Sequence, residues 1–263
     1  MSDSNRHYEY NEDFIAALQW MWGDGYLSPG GPQEVNELLR DINVGHWDIL
    51  DIGSGLGAID ILLAQTHGAK SVTGIDIEQP LIDHARRRAA AAGMEDQVRF
   101  QLVEPGPLPF DDGCFDMVFS KDAIIHIPDK QVLYEDVLRV LKPGGVFVGS
   151  DWLRGGDKEY SQQALEWLQA VHLTFEMKNL EQTRRALEHA GFENVQLRDR
   201  NEWYRHEVGK ELETLSGRKY DELVRRIGPK QSAMRLRSSR LKQKVVEQGE
   251  LRPTHLVAYK GGR

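Results

Sequence analysis

Cysteine is almost missing from this chain. A single one, Cys114, stands among 263 residues. That excludes a disulfide within the chain and any metal cluster built on thiolates. Long apolar runs are missing too: none reaches the roughly 20 residues needed to cross a bilayer. No basic start followed by an apolar segment opens the chain. The expectation is a cytoplasmic protein without a membrane partner. Basic charge is also in short supply. Acids outnumber lysine and arginine, for a net charge of −8 and an isoelectric point near 5.6. That balance argues against a general nucleic-acid binder. No His/Asp/Glu cluster stands at metal-ligand spacing, so no metal is expected. Repeats and low-complexity tracts are absent, the sequence carries no signal of oligomeric state, and Met1 to Arg6 are expected to fray. With 40% hydrophobic residues, there is material for one large domain with a core.

Against that background, Ile49-Leu50-Asp51-Ile52-Gly53-Ser54-Gly55-Leu56-Gly57 is the most informative stretch. An apolar run feeding a glycine turn reads as a buried parallel strand passing into a helix. Glycines there let the backbone take φ > 0 and approach a ligand closely, and the helix that follows points N–H groups at the same spot. A dinucleotide site wants Gly-x-Gly-x-x-Gly; this turn is Gly-x-Gly-x-Gly with Asp51 just ahead. A pyrophosphate has no use for that carboxylate. S-adenosylmethionine (SAM), which carries an ammonium and a sulfonium and no phosphate, does. An NAD(P)-linked oxidoreductase is therefore disfavoured. Val72-Thr73-Gly74-Ile75-Asp76 reads as a second strand, and an acid at its end can accept from both ribose hydroxyls.

Helical spacing runs from Glu12 to Trp22, a glycine-rich break spans Gly23 to Gly31, and a helix over Gln33–Leu39 precedes the first strand. Strands and helices then alternate to about Ser150, with strands at Val98–Val103, Phe115–Ser120 and Val146–Val148, as in a parallel α/β sheet. Helices at Ser161–Thr174 and Leu180–His189 lead to a strand ending at Leu197. About fifty charged, helical residues, Asn201 to Gly249, separate it from a last strand at His255–Tyr259. So long an insertion reads as a functional cap over the carboxyl ends of the strands, where open α/β sheets bind ligands.

The glycine turn, Asp76, the strand Phe115–Ser120 and the helix end, Pro-Gly-Gly turn and strand from Leu141 to Val148 together resemble class I SAM-dependent methyltransferases. The resemblance implies an α/β, Rossmann-like sheet of order 3-2-1-4-5-7-6 with the last strand antiparallel. It implies a lid over residues 1–40, a SAM-binding core over 41–200, a helical cap over 201–249 and the final strand over 250–263. It also implies that Gly53 and Gly55 meet the methionine part of SAM, Asp76 the ribose and Glu104 the adenine amine, with Asp51, Ile77 and Lys121 in the cofactor set.

Two further segments, Tyr10-Asn11-Glu12-Asp13 through Gly31 and Ser120-Lys121-Asp122-Ala123-Ile124-Ile125-His126-Ile127, resemble the phosphoethanolamine N-methyltransferases and, more loosely, the glycine, sarcosine and dimethylglycine N-methyltransferases. This resemblance is carried by the chain up to about Trp152. It implies that Tyr10 and His126 form a catalytic pair, that Asp122 holds the substrate amine, and that Leu27 and Ser28 are where the lid touches SAM. Elementary chemistry agrees. An amine must lose its proton before it attacks a methyl group, and a histidine titrates near neutrality. Asp122 and His126 sit four apart, the spacing that shares a helical face. Trp20, Trp22, Tyr26 and Trp152 are candidates to face a cationic product.

Beyond Trp152 the chain departs from the phosphobase pattern. Where those enzymes hold phosphate with tyrosines and an arginine stand Trp152, Gln169, Leu173 and Phe175, and only Lys242 keeps a basic residue. None of the four binds a phosphate as Arg or Tyr would. Basic residues crowd the cap, and one of Arg237, Arg240 or Lys242 is expected to point inward and bind a carboxylate. The function expected is N-methylation of a small amine or amino acid by SAM, with S-adenosylhomocysteine (SAH) as product. S-methylation of a small thioether or thiol acid, or SAM/SAH binding without catalysis, are the alternatives. Gly55→Val is expected to block cofactor binding by filling its space.

Overall fold

A computed structural model describes residues 9–171 and 175–262 and, for Arg218, the backbone alone. The expected fraying of Met1–Arg6, the end of the helix expected to reach Thr174, and Leu173 lie outside the described residues. In chain order the elements are α1 (Glu12–Trp22), α2 (Gly31–Leu38), β1 (Asp48–Ile52), α3 (Ala58–Gln65), β2 (Ser71–Asp76), α4 (Gln79–Ala92), β3 (Val98–Leu102) and β4 (Phe115–Lys121). A 3-10 turn (Ile124–His126) then leads to α5 (Lys130–Val140), β5 (Leu141–Arg154), α6 (Gln162–Val171), α7 (Leu180–Ala190) and β6 (Phe192–Asp199). The chain continues through α8 (Asn201–Ser216), α9 (Arg218–Glu247) and β7 (Leu251–Lys260).

The strands form one sheet in the order 3-2-1-4-5-7-6. β1 to β5 run parallel and β7 lies antiparallel between β5 and β6, as the resemblance implies. Neighbouring side chains of a strand face opposite sides. Ile49 accordingly enters a core with Val35, Leu63 and Ile82, while Leu50 enters one with Tyr134, Val137 and Leu187. Two buried faces explain why these strands read as unbroken apolar runs.

β7 begins four residues earlier than the apolar run suggests, because Arg252 and Pro253 interrupt it. Pro253 is tolerated where it lies beyond the last β6 pair, Asp199–Thr254. β6 likewise runs two residues past Leu197, to Asp199.

Above the carboxyl ends of the strands, α8 and α9 form a layer with its own core. Tyr204, Val208, Val245 and Leu251 pack there with Ala164 and Trp167 of α6, so a helix from before β6 contributes to the cap. α9 bends at Gly228–Pro229, where Gly228 takes φ 82° and the proline lacks an N–H. The N-terminal helix α1 seals one side, Ala17 packing with Leu215, Leu223 and Ile227. α2 is tied to the sheet by the buried Glu34, whose carboxylate accepts from Arg200 and bonds the His255 ring at 2.6 Å.

Gly53 and Gly55 take φ +78° and +55°, as expected of a turn closing onto the sheet. A Cβ on Gly53 would stand 2.2 Å from that of Ala123, just before the 3-10 turn. Strand β1 can pass that close only without a side chain. Gly53→Ala is therefore expected to combine the left-handed cost with overpacking, about 2–4 kcal/mol together. Gly113→Ala, also at positive φ but with open space around it, should lose only the conformational part. Thermal denaturation of both variants measures the difference.

Candidate active site

The segment after β4 bends sharply. Asp122 takes φ +58°, a left-handed conformation that aspartate tolerates better than most residues. The 3-10 turn follows directly, so Asp122 and His126 converge through a turn and not through one face of a regular helix. This corrects the helical spacing expected of them. The turn is clamped from below. Buried Lys130 donates from Nζ to the carbonyls of Ile124 (2.8 Å) and Ile127 (3.0 Å). Asp151 accepts from Ile125 N at 2.9 Å, and Glu176 N donates to the Ile125 carbonyl at 2.8 Å. Burial pushes the Asp151 carboxyl up to about 7, Lys130 opposing.

Asp122 is itself held. Its Oδ2 accepts from Lys121 Nζ at 2.5 Å and its Oδ1 from Ser150 Oγ at 3.0 Å. Lys121 Nζ also donates to Ser28 Oγ (2.7 Å) and the Pro29 carbonyl (3.0 Å). One ammonium thus joins the end of β4 to the segment between α1 and α2.

Asp122 and His126 open into a cavity of about 270 Å³, which Tyr10, Leu27, Ser28, Trp22 and Trp152 also line. Burial first, and then Asp76 and other nearby carboxylates, hold the Tyr10 phenol far above its ordinary range. It therefore keeps its proton and serves as a donor. Phe175 stands 5.4 Å from the His126 ring, centroid to centroid, and Trp167 extends the same wall. Trp20 instead packs against the cap core of Leu215 and Leu223, and neither it nor Tyr26 lines the cavity. Gln169 is absent from the lining as well.

On the cap side, Lys242 reaches the cavity, as expected of one basic residue. Arg237 and Arg240 do not: both are exposed on another face of α9. At 100° per residue, the residues that share a face with Lys242 are Ser239, Ser238, Arg235 and Gln231, and these line the cavity. Lys242 is neutralised by Glu211, donating at 2.9 and 2.7 Å to its two oxygens, and Ser239 Oγ donates to the same carboxylate. Sequence reasoning missed Arg235, Glu211 and Trp167. The signal for Arg235 lay in the small polar pair Ser238–Ser239, which spares one face of α9 from bulk.

Beside the cavity, Asp76 Oδ2 accepts from Gly55 N and Oδ1 from Glu78 N, both at 3.0 Å, and burial pushes its carboxyl up to about 6. Ile77 next to it is 45% exposed. Glu104 is exposed in the loop after β3. A Cβ on Gly55 would meet the Leu27 side chain at 3.2 Å, so a valine there first displaces this residue of the lid. That corrects the reason expected for the Gly55→Val block.

Beneath the turn, Asp51 faces Asp60 of α3, a residue sequence reasoning passed over. Asp51 Oδ1 and both Asp60 oxygens are buried without an N–H donor. Burial, then the charge of Asp51, holds the Asp60 carboxyl well above its ordinary range. Burial, then Asp76, raises Asp51.

A family model described as Methyltransferase domain matches residues 44–215. The chain belongs to that family. This chain is 30% identical over 214 residues to phosphoethanolamine N-methyltransferase 1 of Zea mays, covering 81% of this chain and 42% of that protein. It spans about four tenths of the length of the plant relatives it matches. Its fold superimposes on Haemonchus contortus phosphoethanolamine N-methyltransferase 2, solved with phosphomonomethylethanolamine and SAH. The TM-score is 0.85 at 23% identity, covering 95% of this chain and 58% of that one. A Galdieria sulphuraria protein assigned as a sarcosine dimethylglycine methyltransferase gives 0.82 at 20% identity, covering 95% and 98%. Among the described residues no helix is long and apolar enough to cross a membrane.

The carboxyl pair has a measurable sign. Asp60 holds its proton more tightly when folded than when unfolded, where it ionises near 4. As pH climbs above about 4 the unfolded state releases that proton before the folded state does, so stability falls. Without added cofactor, the melting midpoint is expected to drop from pH 5 to pH 8. Asp60→Asn, which keeps a donor for Asp51 and has no such proton to lose, should flatten the slope. A scan of both proteins across that range decides it.

Proposed function

We propose that this chain is a SAM-dependent methyltransferase acting on the nitrogen of a small amine. The observation that carries the reading is the convergence of Tyr10, Asp122 and His126 on one cavity beside the glycine turn. Two features of the turn fit the cofactor. Asp51 Oδ1 is a buried acceptor that no N–H group reaches, suited to an ammonium. Ile77 offers an exposed apolar surface next to the Asp76 carboxylate, suited to a nucleoside. In this reading Asp51, Gly53 and Gly55 hold the amino-acid end, Asp76 the ribose, and Ile77 and Glu104 the base, with Leu27, Ser28 and Lys121 closing over it. Bound there, the cofactor supplies a methyl group on a positively charged sulfur. Sinefungin and SAM complexes of other methyltransferases share the fold.

The chain's own residues then have separable tasks. Asp122 accepts from the incoming ammonium and orients it. Because Lys121 already balances its charge, Asp122 does so without holding the protonated form too tightly. His126 takes the proton, which frees the nitrogen lone pair, and the clamp of Lys130 and Asp151 fixes where the imidazole sits. Tyr10, a permanent donor, steadies the ring side of the pair and helps exclude water as α1 covers the cavity. Positioning and desolvation do the rest.

Incubation with isotope-labelled SAM and a panel of amines, amino acids, phosphobases and thioether acids, followed by mass spectrometry, tests the reading. An N-methylated product is expected; labelled sulfonium products alone would refute it. His126→Ala should lower kcat/KM on a secondary amine by roughly 10²-fold or more and spare a tertiary amine, which has no proton to lose. The ribose assignment is tested by pH. A carboxylate accepts from both hydroxyls and its acid form does not, so SAH affinity should fall by up to about tenfold per pH unit below about 6. Asp76→Asn should bind SAH weakly with that dependence gone. Titration calorimetry across pH measures both.

A further inference from the structure

We propose that Arg235 is the anchor for a carboxylate on the substrate, so that the substrate is an amino carboxylate with an apolar body. The proposal rests on the N-methyltransferase reading of the same cavity and adds the chemistry at its far wall.

Three cations reach this cavity or its rim, and two are already matched. Lys121 is paired with Asp122 and Lys242 with Glu211. Arg235 lines the same space, and among the described residues no carboxylate lies within ion-pair distance of it. Its guanidinium sits over the Phe14 ring, 4.7 Å from the centroid, and a phenyl ring accepts none of its five N–H donors. Burial lowers its affinity for its own proton, to about 10, against the partial help of Glu211. An arginine drawn out of water without an acceptor is costly to the folded state. A bound anion would offset that cost.

Which anion follows from charge and shape. With Lys121 and Lys242 paired, the far wall keeps one unmatched positive charge, at Arg235, which matches a group of single negative charge. A phosphate monoester near neutrality carries nearly two negative charges. Its second charge would face Glu211, already committed to Lys242 and Ser239. A planar guanidinium fork matches a carboxylate through two parallel hydrogen bonds. Apart from the polar residues already named, the lining is largely apolar, with Leu18, Trp22, Trp152, Trp167, Val171 and Met234. Polar groups in the middle of a ligand would be stripped of water there without partners. The recognised molecule therefore carries an amine at one end, a carboxylate at the other, and hydrocarbon between.

The test uses the full chain and three readouts. In the first, melting of the SAH-saturated protein is followed with added butyrate, butanol and butyl phosphate, none of which has an amine to methylate. Butyrate should stabilise the wild type and not Arg235→Gln. Equal responses in the two proteins, or a response to butyl phosphate alone, would overturn the carboxylate site. In the second, kinetics are measured with ω-amino carboxylates of two to six carbons, their amides, and phosphoethanolamine. Arg235→Gln should raise KM for the carboxylates by about 10–100-fold, the value of a charge-assisted pair, with the amides and SAH binding unchanged. An equal loss on the amides would overturn it.

The third readout separates an anchor from a structural arginine. Arg235→Met keeps the packing stem and removes the unpaired charge. It should melt a few degrees higher without ligand, on a scale of about 2–4 °C per kcal/mol for a chain of this size. A lower midpoint would show that the charge has a stabilising partner and would sink the proposal. The two readings fail separately. Butyrate binding lost in Arg235→Gln with no methylated amine keeps the anion site and removes the N-methyl reaction. Methylated amines with no Arg235 discrimination do the reverse.

Discussion

One buried ammonium organises the functional half of this molecule. The Lys121 side chain is 3% exposed and divides its donors among the Asp122 carboxylate, the Ser28 hydroxyl and the Pro29 carbonyl. A lysine withdrawn so far from water must have its donors met, and the three acceptors come from two segments far apart in sequence, Ser28–Pro29 and Asp122. The result is that the end of β4, the strained Asp122 and the segment leading into α2 are placed by a single contact set. A loosened N-terminal segment would leave a charge buried without its full complement of acceptors. The site and the segment that covers it are thus energetically one unit.

The same economy marks the turn that carries His126. Backbone groups in a short 3-10 turn are poorly satisfied by the turn itself. Here Lys130 answers two carbonyls, Asp151 an N–H and Glu176 a third carbonyl. The polar groups beneath the imidazole look structural in isolation. Taken together they hold one ring in one place, which is what a proton acceptor with a fixed partner requires.

The sheet was legible in the sequence because parallel strands covered on both faces leave a signature no other element shares. Ile49-Leu50, Val118-Phe119 and Val146-Phe147-Val148 could face only apolar layers. The glycine turn, Asp76, Tyr10, Asp122, His126 and Lys242 were legible from motif and resemblance. The cap was not. α9 carries charge on nearly every face, so nothing local distinguishes exposed Arg237 and Arg240 from inward Arg235. Tertiary packing against Phe14 made that choice. Asp60 escaped notice because an acid early in a helix ordinarily suits the helix dipole. Only the return of β1 over α3 makes it a buried neighbour of Asp51. Pro253 hid the start of β7 for a similar reason: its tolerance depends on where β6 stops.

β7 enters the sheet between β5 and β6 and pairs with both, and only three residues, 248–250, separate it from α9. The hydrogen-bond ladder therefore works as a ruler for the roof of the cavity. Strands advance about 3.3 Å per residue, so a slip of two residues along β5 would carry the end of α9 by about 7 Å. Side chains of β7 would keep their inward and outward faces after such a slip, yet Lys242 would leave Glu211. Depth of the ligand chamber is thus written into strand pairing at the middle of the domain.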